Sequence, residues 1–222
     1  MPWPVIKRRV DDLIFHILSQ TKAETWQGYL TGPGNFRFEV ATIQPYKEHR
    51  GERPFWYQGI YNYLRDQRGS CVVEGYEADD AISIAASAGD CGEFVICTRD
   101  KDLRQVPGYH YGWASGKQKE RDVFLVSPLD GWKSFCAQCL TGDPVDCIPG
   151  LYNVGAKAAC VQRVQQAETE LECFKIVKEE YEKRFGTYWD MFLCENGRLL
   201  WMLRSEDDDW YNRQKEFTKR CH

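Results

Sequence analysis

Two short apolar runs, Cys71–Val73 and Phe94–Thr98, are each followed at once by carboxylates: Glu77, Asp79 and Asp80 after the first, Asp100 and Asp102 after the second. Short apolar runs bounded by glycine and polar residues predict buried strands. Between them, Ala78 to Ala88 is a small-residue helical stretch ended by Gly89. Strand, helix, strand in that order predicts parallel neighbours in an α/β sheet. Ligands of such sheets gather beyond the carboxyl ends of the strands, where these acidic groups fall.

The rest of the chain extends this pattern. Val5 to Thr21 carries apolar residues at Val10, Leu13, Ile14, Ile17 and Leu18, the spacing of a helix with one buried face. Thr25 to Leu30 reads as a strand closed by the turn 31–34, and Phe36 to Ala41 as a second short strand. Pro45 to Pro54 is polar, basic and irregular. Phe55 to Arg68 returns to helical spacing, and Val123 to Val126 reads as a strand. Pro128 opens a helix to about Leu140, since proline suits a first helical turn. A glycine-rich loop follows, then helices from about Ala156 and over Leu171 to Phe185, with a strand expected over Arg198 to Leu203. The expectation is an α/β core with a mostly parallel sheet over residues 1–127 and a mainly helical region over 128–222.

With 222 residues and 43% hydrophobic content, the chain can fill one core, alone or with a helical appendage. No apolar run approaches the roughly 18 residues of a membrane span. The opening MPWPVIKRRVDD lacks the apolar centre of a secretion signal, which predicts a cytoplasmic protein. The ten cysteines lie in strand-like and helix-like runs such as EFVICT and KSFCAQCL, which predicts reduced thiols. Cys136 and Cys139 have no second pair to complete a zinc site and are expected on one buried helix face. The net charge of −4 argues against a polyanion partner only if charge is evenly spread. Basic residues collect locally at Lys7, Arg8 and Arg9, then at Arg37, Lys47, Arg50 and Arg53.

A single aspartate at a helix start serves well as a cap. Capping does not account for three carboxylates within four residues plus another pair after the next strand, because like charges so close repel unless a cation joins them. Oxygen ligands without histidine or paired cysteine point to Mg2+ or Mn2+. A third acidic group, Asp143 and Asp146, lies in LTGDPVDCIPGLYNVGAKAA. There Gly150 and Gly155 let backbone N–H groups approach a phosphate, with Lys157 and a helix start beside them. That arrangement binds a nucleic-acid backbone without reading bases.

NFRFEV, PYKEHR, GYEADD, TRDKDL and GDPVDCIPGLYNVGAKAA follow one another between about Gly28 and Ala159. In this order they resemble the 5′-nuclease family of flap endonucleases and 5′–3′ exonucleases, the phage branch above all. The resemblance implies a PIN-like core with a C-terminal helix-three-turn-helix. It implies metal-dependent cleavage of DNA at 5′ ends, flaps or duplex–single-strand junctions. Glu77, Asp79, Asp80, Asp100, Asp102, Asp143 and Asp146 would hold Mg2+ or Mn2+, with K+ at the helix-three-turn-helix. Lys47 would stabilise charge at the scissile phosphate and Arg50 would hold that phosphate. Tyr46, Arg37, Gly150, Gly155 and Lys157 would contact nucleic acid, Tyr46 by stacking on a terminal base.

The sequence departs from the family pattern in two places. Family members begin with an apolar central strand ending in an aspartate, whereas this sequence opens on the helix that follows it. Asp11 and Asp12 lie in that helix and are expected to be exposed. Where many members place an aspartate after the next strand, Thr31 stands. Three readings stay open: a start upstream of Met1, a first strand supplied by a separate peptide, or a defective metal site with DNA binding kept. A compact RNA-cleaving nuclease is a further alternative, disfavoured by the long glycine segment. Trp189, Trp201 and Trp210 are expected to pack the helical region, and Glu206 to Asp209 to be solvated.

Overall fold

In a computed structural model, residues 1–49, 51–89 and 94–221 are described. Helix α1 (Trp3–Thr21) leads into strand β1 (Tyr29–Thr31), the short helix α2 (Arg37–Val40) and helix α3 (Tyr57–Arg68). Strand β2 (Cys71–Val73), helix α4 (Ala78–Ala88) and strand β3 (Val95–Cys97) follow. A 3-10 turn (Asp102–Gln105) then joins β3 to the hairpin of β4 (Gly108–Gly112) and β5 (Arg121–Val126). The remainder is helical: α5 (Pro128–Thr141), α6 (Ala159–Gln166), α7 (Glu170–Phe185), α8 (Trp189–Leu200) and α9 (Trp210–Arg220).

The strands form two small, mostly parallel sheets. β1 runs parallel to β2 with Leu30 opposite Val72, and β3 runs parallel to β4 with Ile96 opposite His110. β5 closes the second sheet antiparallel to β4. Among the described residues no strand pairing joins the two sheets. α1 has no buried residue, although its Val10, Ile14, Ile17 and Leu18 lie on one stripe and are partly covered. It is held to α3 by Trp3 stacked on Trp56 at 5.4 Å and by Asp11, which accepts from the Tyr63 hydroxyl at 2.8 Å and pairs with Arg68 at 2.7 Å. Asp11 is therefore engaged, against expectation, while Asp12 is exposed.

The main core lies in the helical half. Phe135, Trp210 and Trp201 pack ring against ring at 4.5–5.8 Å, with Trp132 stacked on Phe217 at 4.6 Å. Trp201 and Trp210 bear out their packing role, and Trp189 is half-buried under Lys178. Cys136 and Cys139 are buried on α5, and the described cysteines are free thiols.

Four local expectations are corrected. Residues 37–40 are helical, because Asn35 accepts from Arg37 N and starts a turn that the alternating Phe-Arg-Phe pattern hides. β4, reading Gly-Tyr-His-Tyr-Gly, was missed because glycines at both ends and polar aromatics conceal a buried strand. Residues 198–200 close α8, and the buried segment 201–203 that follows belongs to no strand. Asp208 is not solvated: it accepts from Trp201 Nε1 at 2.7 Å, Arg204 N at 2.9 Å and Arg213 Nε at 2.8 Å. Burial of the neighbouring tryptophans draws it inward.

Candidate functional site

Gly75, at φ +84, turns the chain from β2 into the start of α4. Glu77 caps that helix in a reciprocal box with Asp80, which accepts from Glu77 N at 3.1 Å. Thr31 accepts from Ala78 N at 3.0 Å, so its hydroxyl anchors the same helix start. Sequence spacing thus brings Glu77, Asp79 and Asp80 to the ends of β1 and β2. Asp100 and Asp102 sit beyond β3, where Asp100 accepts from Asp102 N at 2.9 Å.

The carboxylates divide by what they bind. Asp80 is 0% exposed and holds Arg37, itself 1% exposed, through bonds of 2.5 and 2.9 Å. It also accepts from Leu203 N at 3.2 Å, and Arg37 donates to the carbonyls of Leu199 and Trp201 at 2.8 Å each. Burial opposes the charge on Arg37, but the bonds and field of Asp80 outweigh it and raise the guanidinium above its ordinary value. Arg37 has no exposed donor for a phosphate. Expected to contact nucleic acid, Arg37 here forms a buried tie between the β2–α4 corner and the chain after α8.

Lys47, at φ +54, lies among Glu77, at 2.5 Å, and Asp146, at 3.4 Å. Tyr46 is 5% exposed and donates to Glu77 at 2.8 Å and Asp146 at 3.1 Å. Burial, then Glu77, holds its hydroxyl protonated far above the usual range. The ring, expected to stack on a terminal base, packs edge-on against Phe38 in this structure. Burial raises Asp146 above its ordinary value, with Lys47 opposing. Asp143 is 2% exposed and pairs with Lys101 at 2.9 Å. Lys101 is a partner that the sequence reading missed, its only signal being a lysine between two aspartates. Arg50 lies outside the described residues.

Asp79, Asp100 and Asp102 remain. Asp79 is pushed up to about 7 by burial, then by Asp100, Glu77 and Asp80. Asp102, which accepts from Gln138, is pushed up to about 7 by burial, then by Asp100 and Asp143. Asp100 is exposed between them. Their oxygen donors suit a hard cation, which would relieve the repulsion. The geometry does not present a closed cage, since among the described residues no three acidic, histidine or cysteine side chains converge closely enough to hold an ion.

In the glycine loop, Gly142 and Gly150 press backbone to backbone, and a Cβ on either would lie 2.2 Å from the other strand of the loop. Gly150 N, expected to meet a phosphate, donates to Asn196 Oδ1 at 3.1 Å inside the protein. Gly155 and Lys157 lie exposed at the turn before α6, which begins at Ala159 rather than about Ala156.

No family model matches the sequence. A 99-residue stretch, 40% of this chain, is 32% identical to DNA polymerase I of Rhizobium leguminosarum, of which it spans 9%. The flap endonuclease of bacteriophage T5, in a pseudo-enzyme–product complex with DNA and metal ions, superposes with a TM-score of 0.60 at 15% identity, over 94% of this chain and 88% of that one. The T5 protein crystallised with metal ions gives 0.58 at 16% identity, over 94% and 87%. This is the 5′-nuclease fold. The 5′-nuclease resemblance of the ordered motifs is thus matched by the architecture.

Proposed function

We propose that the protein is a divalent-metal-dependent 5′ nuclease that hydrolyses DNA phosphodiester bonds as a 5′–3′ exonuclease or flap endonuclease. The carrying observation is the set of Asp79, Asp100 and Asp102 at the ends of β2 and β3, repelling one another and, among the described residues, without an ion-pair partner. The T5 relative, solved with DNA and metal ions, supports the same direction. Asp79, Asp100 and Asp102 would hold Mg2+ or Mn2+, which when bound supplies positive charge for water activation and leaving-group stabilisation. Lys47, released from Glu77 or Asp146, places an ammonium where charge develops on the phosphate. Lys157 and the exposed Gly155 turn would hold the duplex backbone. Residues 1–127 would then act as the nuclease core and 128–222 as the DNA-positioning region, working in a DNA-containing cytoplasm.

A second reading has its own support. Glu77, Asp80, Asp143 and Asp146 each hold a basic side chain, and the sheet is in two parts. Both features suit a DNA-binding protein with a defective metal site, or half of a split nuclease completed by a separate strand peptide. Cleavage of a labelled 5′-flap DNA with Mg2+ or Mn2+ tests the first reading. Activity should appear and vanish in Asp79→Ala/Asp100→Ala; activity that survives the double substitution refutes it. Binding without cleavage favours the second reading, and cleavage restored by an added apolar strand peptide selects the split enzyme.

A further inference from the structure

Beside Asp100 a hollow of about 440 Å3 opens between the end of β3, the 3-10 turn and the β4–β5 hairpin. Five cations line it, Arg99, Lys101, Arg104, Lys119 and Arg121, against the single carboxylate Asp100. In a chain of net charge −4, this is a local inversion of sign. Two of the five are committed elsewhere. Lys101 holds Asp143, and Arg99 braces the hairpin by donating to Gln118 at 2.9 Å and to the Lys119 carbonyl at 3.3 Å. Among the described residues, Arg104, Lys119 and Arg121 have no ion-pair partner. The hollow is firmly built. His110 forms part of it, 2% exposed, with Nε2 donating to the Val106 carbonyl at 2.8 Å and its ring stacked on Phe124 at 5.6 Å. β4 and β5 pair antiparallel with one register irregularity between His110 and Gly112; Arg121 stands on β5 with Lys119 just before it, while Arg99, Lys101 and Arg104 come from the chain after β3.

Concentrated unpaired cations in a concave site attract a polyanion, because the walls focus the field. The hollow is open rather than enclosed, since Lys119 and Arg121 are exposed. An open row of positive charge suits a chain of phosphates passing through better than one small anion held inside. From these observations we infer that the hollow is a strand path, holding the phosphates of a single nucleic-acid strand as it leaves the carboxylate group at Asp100. The inference rests on the reading that nucleic acid is the substrate. It adds a binding surface on the β4–β5 hairpin, opposite in kind to the glycine loop, which would grip duplex.

The test is fluorescence anisotropy of a labelled single-stranded oligonucleotide in EDTA, across a series of NaCl concentrations. Each phosphate contact with a single strand contributes about 0.7 to the slope of log affinity against log salt. The triple variant Arg104→Gln/Lys119→Gln/Arg121→Gln should lower that slope by about 2. A triple substitution on the remote face of α9, Lys215→Gln/Lys219→Gln/Arg220→Gln, should leave it unchanged. If the first variant fails to fold, Lys119→Gln alone, at an exposed hairpin position, should lower the slope by about 0.7. An unchanged slope overturns the inference, as does a wild-type protein that binds inorganic phosphate at the hollow but no oligonucleotide. Flap cleavage by the wild type with an unchanged slope removes the strand path and leaves the nuclease reading. A lowered slope without any cleavage keeps the path and removes the nuclease.

Discussion

Replacing Arg37 by methionine keeps most of the side-chain volume and removes the one cation bonded to Asp80 among the described residues. Arg37 and Asp80 are 1% and 0% exposed, and their two bonds measure 2.5 and 2.9 Å. Asp80 would keep only its bonds from Glu77 N and Leu203 N, and the carbonyls of Leu199 and Trp201 would lose their donor. Removing one partner of a buried pair costs about 3–5 kcal/mol, because a charge is left without compensation. For a chain of this size each kcal/mol moves the melting point by about 2–4 °C, so the loss is roughly 6–20 °C. Urea unfolding followed by the fluorescence of the eight tryptophans reads it as a lower midpoint at unchanged slope. Arg37→Met/Asp80→Leu, which removes both partners, should recover much of the loss. A cost for Arg37→Met below about 1 kcal/mol would refute a structural role for this pair. So would an Asp80→Asn protein of unaltered stability that had lost Mg2+ binding, since Asp80 would then be a ligand rather than an anchor.

Other outcomes follow from the same geometry. Asp79 and Asp102 carry folded values raised to about 7, so the folded state binds their protons more tightly than the unfolded chain does. Their contribution to stability is full below about pH 4 and declines as pH rises towards 7; in EDTA, Asp79→Asn/Asp102→Asn should flatten that decline in pH-dependent melting curves. Adding Mg2+ should raise the melting temperature of the wild type and not that of Asp79→Ala/Asp100→Ala, as scanning calorimetry would report. Gly142→Ala should destabilise by more than about 1 kcal/mol, because φ is +67 and the new Cβ would meet Ile148 O at 2.2 Å. Gly155→Ala, with nothing within 4 Å, should be near neutral in the same urea titration.

Much of the architecture was legible in local pattern. The stripes of α1, α3, α5 and α7 and the apolar runs of β2 and β3 announce themselves, because hydrophobic period reports which face meets the core. The same runs place the carboxylates at strand ends, since a parallel sheet sends the chain out at one edge. Pairing was another matter. Asp80 meets Arg37 across 43 positions and Arg37 meets Leu199 across 162, distances over which no local period carries information. Only the packed fold could convert Arg37 and Tyr46 from surface binders into buried ties, and give Lys101 to Asp143. Only the fold left Asp79, Asp100 and Asp102, of the seven strand-end and loop carboxylates, without an ion-pair partner among the described residues. Sequence by itself determined which residues are acidic and where along the strands they stand. Tertiary structure decided which of those charges are neutralised inside the protein and which still call for a partner, because a charge's fate depends on neighbours that only folding brings near.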